Sequence, residues 1–236
     1  MKRTVFTLVI FFTLINVFAQ HTEYRISLNP GLFSFKGRSS ESVSSINYTE
    51  RLHTGYTNNP YGSKNGLGYG ISGNVKRVGK RNLVFGIDLG YERLRSKVTI
   101  NRIDDNAGIA AVQYNASGKT FLNYDFLNFQ PFVGYRFIFR SLQLDVTGGV
   151  DLAHCLKAKE KGNATAENGI AYKTTVNRET IKTDIRPRLQ LAADYHRLGV
   201  YAGYSLGLVN YKTGYVGGVN ESYARVFRFG VTYRLY

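Results

Sequence analysis

Cysteine occurs once in the 236 residues, as Cys155, so no intramolecular disulfide can cross-link the chain and a disulfide-built exported scaffold is excluded. Beyond the first twenty residues no apolar run approaches the roughly 20 residues of a membrane-spanning helix, because polar residues interrupt every stretch. Helical spacing is nowhere sustained either. Many of the 25 glycines sit inside periodic stretches, where they disfavour helix further. Acidic residues are scarce, 16 against 31 lysines and arginines, for a formal net charge of +15. Such a balance suits a polyanionic partner, and for an exported chain that means anionic lipid or glycan rather than nucleic acid.

Export is signalled by MKRTVFTLVIFFTLINVFAQ, residues 1–20: a basic start at Lys2 and Arg3, an apolar run from Val5 to Phe18, and Val17-Phe18-Ala19 as a small-residue cleavage site. The predicted organisation is a signal peptide over residues 1–19 and one mature domain over 20–236. Cys155 lies too far from the signal peptide to be a lipid anchor and reads as a small strand-end residue.

What the mature chain does have is alternation. FRFGVTYRLY, residues 227–236, sets Phe227, Phe229, Val231, Tyr233 and Leu235 on one parity and Arg228, Gly230, Thr232 and Arg234 on the other. Similar period-two stretches predict strands near 24–36, 66–78, 82–95, 121–139, 142–154, 183–195, 199–211 and 223–236. The gaps alternate in length. Gly79-Lys80-Arg81, Arg140-Ser141 and His196-Arg197-Leu198 are tight, whereas about 37–65, 96–120, 155–182 and 212–222 are long and polar. Antiparallel neighbours then place every tight turn at one end and every long loop at the other, the pattern of an eight-stranded antiparallel transmembrane β-barrel with short periplasmic turns and long extracellular loops.

Parity sorts the side chains. Ile26, Leu28, Leu83, Ile87, Leu89, Leu142, Leu144, Val146, Val150, Leu189 and Leu191 fall on an apolar, lipid-facing set. Asp88, Glu92, Asp145, Asp151 and Asp194 fall on the inward set with Arg25, Lys76, Arg136, Arg186, Arg188, Arg228 and Arg234, an excess of two bases fit to hold an anion or water. Tyr24, Tyr91, Phe137, Phe139, Tyr195, Tyr211 and Tyr236 are expected in the interfacial girdles. A soluble barrel of lipocalin type would reverse the two faces.

NFQPFVGYRF (128–137), LQLDVTGGVDL (142–152), VYAGYSLGL (200–208) and FRFGVTYRLY (227–236) resemble the small outer-membrane β-barrels, in particular the outer-membrane beta-barrel domain family of Bacteroidota, sometimes called PorT-like, and more distantly the OmpA and OmpX barrels. The resemblance covers the mature chain and implies a Gram-negative outer-membrane location and insertion by the outer-membrane assembly machinery. Tyr236 falls one step out of phase with the lipid-facing set, so it lies past the strand or Leu235 is the effective terminus.

Motifs for chemistry are thin. GLGYGISG (66–73) lacks the strand before and the helix after that a phosphate-cradling loop needs; its glycines let a narrow barrel interior close around larger side chains. Asp104-Asp105-Asn106 lacks the ligand spacing of a calcium loop and reads as a solvated turn. His53, near Ser39, Ser40, Ser42, Ser44 and Ser45, and His154 lie on the long-loop side, where a lipid A-modifying enzyme would place a triad; His21 and His196 lie at the other end. No motif joins them. Asn47, Asn115, Asn163 and Asn220 head Asn-x-Ser/Thr triplets that mark exposed segments. Residues 155–182, with Lys157, Lys159 and Lys161 clustered, read as a protease-accessible cationic loop suited to lipopolysaccharide phosphates.

No catalytic, cofactor or metal residues are assigned. The sequence predicts a monomeric outer-membrane barrel with a structural or surface-interaction role and no catalysis. Its partners are outer-membrane lipid including lipopolysaccharide, the assembly machinery, and an unidentified surface or envelope partner, but no nucleic acid. A small solute carrier or pore is the alternative, and a lipid A-modifying enzyme the third reading.

Overall fold

A computed structural model describes residues 19–49, 54–106, 112–215 and 217–236. The signal-peptide reading lies, up to Phe18, outside the described residues, and so does His53. The described residues form twelve strands: β1 (Ala19–Leu28), β2 (Gly31–Lys36), β3 (Val43–Thr49), β4 (Thr54–Thr57), β5 (Lys64–Gly79), β6 (Leu83–Asp105), β7 (Val112–Phe139), β8 (Leu142–Ala166), β9 (Ala171–Asn177), β10 (Thr183–Tyr195), β11 (Leu198–Leu206) and β12 (Tyr223–Arg234).

Eight of the crossings are the predicted ones. β1 and β2 are a single first crossing, split where Pro30 has no N–H to give the ladder; both halves pair with β5 on one side and β12 on the other. From there β5, β6, β7, β8, β10, β11 and β12 follow as antiparallel neighbours, and the pairing of β12 with β1 closes the barrel. Closure leaves the barrel without a free strand edge, the condition for crossing lipid with strands. The three tight turns each carry one residue with positive φ, Asn82, Arg140 and His196. Beyond Arg234 the chain still pairs with Tyr24, whose N–H donates to the Tyr236 carbonyl at 3.1 Å, so Tyr236 lies past the last strand.

The faces follow the parity reading. Leu28, Leu89, Leu189, Leu191, Val200, Phe229 and Val231 point out into the surroundings, while Arg25, Lys76, Glu92, Arg136, Asp145, Asp151, Arg186 and Arg228 are buried inside. A soluble barrel would show the opposite. Tyr24, Phe137, Phe139 and Tyr195 lie on the outer face near the tight turns, as expected of a girdle. Tyr211 does not: it is 2% exposed and packs inside the barrel.

The larger departures are in the expected loops. A transmembrane strand needs about 9–11 residues, yet β6 runs for 23, β7 for 28 and β8 for 25. Residues 96–120 are therefore mostly strand, and residues 155–182 contain the end of β8 and the β9 hairpin, leaving the turn at 167–170 and the segment 178–182 unpaired by strands. The first expected loop, 37–65, holds β3 and β4; β3 runs parallel to β6 and pairs with β4. The barrel wall thus continues outward as a projection of paired strands. Cys155 is no strand-end residue: it sits within β8, half-buried, at an irregularity in the pairing with β7. Asp104 and Asp105 end β6 rather than forming a free turn.

Candidate functional site

The interior is filled in layers, beginning at the tight-turn end. Glu23 is the hub of the first. It accepts from Arg25 Nη2 at 2.7 Å, Arg136 Nη1 at 2.6 Å and Arg234 Nη1 at 3.1 Å. Arg136 Nε also donates to Asp145 at 2.7 Å, Arg25 Nη1 to Asp194 at 2.6 Å, and Lys76 Nζ to Asp145 at 2.5 Å. Charges from β1, β5, β7, β8, β10 and β12 are thereby tied across the lumen. In a second layer Arg228 bridges Glu92 at 2.5 Å and Asp151 at 3.0 Å, and Ser205 Oγ donates to Asp151 at 3.0 Å. Between the two layers lies a polar cavity of about 30 Å³ whose lining includes Asn29, Ser72, Asn74, Asp88, Gln130 and Arg188. That is room for a few water molecules.

The third layer meets an apolar plug. Asp184 accepts from Arg186 Nε at 2.6 Å and from the Tyr211 hydroxyl at 2.8 Å, and the Arg186 guanidinium lies 4.4 Å from the centre of the Phe126 ring. Above it Phe33, Phe35, Tyr61, Tyr124, Phe126 and Tyr211 pack ring to ring, mostly edge-on, with centroids 4.9–6.0 Å apart. This aromatic block was legible in the inward parity of 33, 35, 124 and 126, but the sequence reading followed the charges and missed it. It also missed Glu23 and Asp184. With those two, seven inward acids meet seven inward bases, so the expected excess of two bases is absent.

A cap closes the top. Glu160 accepts from the Thr57 N–H at 2.7 Å, Thr174 Oγ1 at 2.9 Å and Arg178 Nε at 2.7 Å, while Arg178 Nη2 donates to the Thr57 carbonyl at 2.5 Å. One buried carboxylate thus holds β4, β8 and β9 together. Over it a second apolar core of Ile46, Val98, Ile100, Ile103, Ala164, Ala166 and Tyr172 gives the projection a packed interior. Burial, and then donation to Asp105 at 2.9 Å, pushes the Tyr172 phenol up to about 12.

Among the described residues the candidate catalytic side chains are not brought together. His154 lies on the outer face of β8, with Nδ1 3.4 Å from Thr183 Oγ1, His21 contacts Glu23 at 3.2 Å, and His196 sits in a turn. The serines near His53 are structural: Ser39 donates to the Val219 carbonyl, Ser40 contacts Ser222, Ser44 accepts from the Asn59 N–H and Ser45 from Asn58. Asp104 pairs with Arg102 at 2.8 Å. Among the described residues no cluster of three or more metal-ligating side chains forms. In GLGYGISG a Cβ at Gly66, Gly68 or Gly70 would lie 2.3–2.6 Å from a carbonyl oxygen of β6, so these glycines serve the close approach of two strands.

No family model matches the chain, and no curated protein sequence matches it. Among solved structures, Neisserial surface protein A is 12% identical over 91% of this chain and 99% of its own, with a TM-score of 0.39. The attachment invasion locus protein Ail of Yersinia pestis, in complex with the heparin analogue sucrose octasulfate, is 12% identical over 92% and 100%, with a TM-score of 0.39. The outer membrane protease OmpT of Escherichia coli is 10% identical over 92% and 97%, with a TM-score of 0.37. A closed eight-stranded wall, apolar outside and charged within, with short turns at one end and a long projection at the other, makes the chain an eight-stranded antiparallel transmembrane β-barrel.

Proposed function

We propose that this protein works by surface contact, through the projection formed by β3, β4, β9 and the outer parts of β6, β7 and β8, as a monomer that neither transports solute nor catalyses a reaction. One observation carries the reading: charge layers and an aromatic plug occupy the lumen around a cavity of only about 30 Å³, whereas the outer end is a sheet with its own apolar core. Strands that only anchor a barrel have no need of 23 to 28 residues. A solute carrier fits less well, because the space between the charge layers is about 30 Å³. The four segments quoted above are the support for placing the chain in the Bacteroidota PorT-like family.

A trimmed barrel tests the reading. Val98 pairs with Thr120 and Glu160 with Val176, so residues 99–119 and 161–175 can each be replaced by a two-residue turn in register. Native and trimmed proteins, both checked for heat-modifiable gel mobility, are compared on a surface-glycan array and for glycolipid that co-purifies on mild extraction. The native protein is expected to bind in at least one assay and to lose tenfold or more on trimming. A native protein that binds in neither, or a trimmed barrel that binds as well, contradicts the reading.

A further inference from the structure

The pairing registers allow the outer face of β6–β9 to be read row by row. The apolar belt ends in the row Tyr91–Leu127–His154. The next row outward is Arg93–Asp125–Lys157, followed by Arg95–Asn123–Lys159–Asn177, Lys97–Phe121–Lys161–Thr175 and Thr99–Lys119–Asn163–Lys173. Eight bases and a single acid stand on this face. The acid is already engaged, since Arg93 holds Asp125 through Nε at 2.6 Å and Nη2 at 3.0 Å. Among the described residues, no carboxylate lies within ion-pair distance of Lys97, Lys119, Lys157, Lys159, Lys161 or Lys173.

Rows of one strand face repeat at roughly 6.8 Å and neighbouring strands at about 4.8 Å, so several of these cations stand close enough together to reach one multiply charged anionic group. Like charges so placed on one sheet face repel each other unless an anion lies among them. Phe121, at the centre, already has the Arg95 guanidinium 5.3 Å and Lys119 Nζ 5.8 Å from its ring centroid, giving the basic field a flat apolar floor. The reverse face of these strands is the buried core of the projection, so the basic side chains have only the outside to serve.

We propose that this face is a docking surface for a phosphate-bearing glycolipid of the outer leaflet. The proposal rests on the surface-contact reading and names its ligand class. What selects a membrane-anchored polyanion over a soluble one is continuity. The column Val150, Leu152, His154, Lys157, Lys159 and Lys161 runs up one strand from lipid-facing to basic, so acyl chains against the belt place a headgroup on the first basic rows. Those rows fall within the polar zone of about 5–8 Å that borders each side of the hydrocarbon core, and just above it. Charge-assisted hydrogen bonds from lysine and arginine to phosphate supply the affinity.

The test uses the full protein in neutral-lipid nanodiscs and three probes: bis-phosphorylated lipid A, the same lipid with its phosphates removed, and a soluble sulfated hexasaccharide. The variant R95Q/K97Q/K157Q/K159Q, centred on the first basic rows, is compared with the native protein and with K80Q/R81Q/R197Q, which removes bases from the tight-turn end. Heat-modifiable mobility confirms that each is folded. The native protein is expected to bind bis-phosphorylated lipid A at least tenfold more tightly than either other probe, with affinity falling as salt rises. The four-glutamine variant loses tenfold or more, and the tight-turn control stays within twofold. Equal binding by the four-glutamine variant, an equal loss in the control, or a preference for the soluble hexasaccharide overturns the proposal. If the four-glutamine variant binds lipid A normally while the trimmed barrel still loses its contacts, this docking face falls and the surface-contact reading stands.

Discussion

Glu23→Ala is expected to lower the unfolding free energy of the barrel by about 3–5 kcal/mol in a urea titration in detergent micelles, the range for breaking a buried ion pair from one side. The side chain is 1% exposed and three guanidinium groups converge on it, from Arg25, Arg136 and Arg234. Its removal leaves Asp145 and Asp194 to balance Arg25, Lys76, Arg136 and the partly exposed Arg234. Glu23→Gln keeps the shape and part of the hydrogen bonding, so about 1–3 kcal/mol is expected. Because the cost is mainly that of unpaired charge, Glu23→Gln combined with Arg136→Met should cost less than the sum of the two singles. Strict additivity would show that the groups do not act as a network.

Leu191→Arg should destabilise by roughly 2–4 kcal/mol in the same assay when the folded state is held in a bilayer, as for a cation near the midplane. Leu191 is 50% exposed on the outer face and pairs with Val146 and Ala202, well away from either girdle. Gln190, one residue earlier, points inward, where its side chain accepts from Arg188. Gln190→Ala removes that one acceptor and should cost less, about 1–2 kcal/mol. Equal costs at the two positions, or a larger cost at Gln190, would contradict the assignment of lipid-facing and lumenal sides.

The barrel itself was legible because the membrane imposes a strict rule. Each crossing must alternate, and Leu144, Asp145, Val146 and Thr147 do so without exception. The projection was hidden for three physical reasons. Above the belt no lipid demands an apolar outer face, so the alternation of β8 becomes Lys157, Ala158, Lys159, Glu160 and Lys161, which reads as polar. Irregularities in the pairing shift the parity of β8 at Cys155, just where the predicted strand stops, and of β6 between Ile100 and Arg102, a few residues beyond its predicted end. And β3 finds its partner β6 in parallel across more than fifty residues, a pairing no local pattern can announce.

The candidate site was legible in part. The lysines at 157, 159 and 161 stand out in the sequence as a basic cluster, but only strand pairing sets them beside Lys97, Lys119 and Lys173. The plug shows the complementary case. Phe33, Phe35, Tyr124 and Phe126 carry inward parity in the sequence, yet Tyr61 joins them from an expected loop and Tyr211 from the very end of an expected strand. Tyr211 was assigned to the girdle because it stands at the end of a predicted strand; its hydroxyl is instead bound to Asp184, deep within the barrel.

The central claim is that the lumen is closed and the outside of the molecule does the work, and single-channel recording in planar bilayers tests it most directly. The layers of inward charge, in which six of the seven acids are ion-paired, the aromatic plug above them and the Glu160–Arg178 cap leave water no continuous path. The purified protein is expected to show no steady conductance above baseline at ordinary voltages, in low or high salt. Stable, ion-selective openings would contradict the account and make the protein a pore.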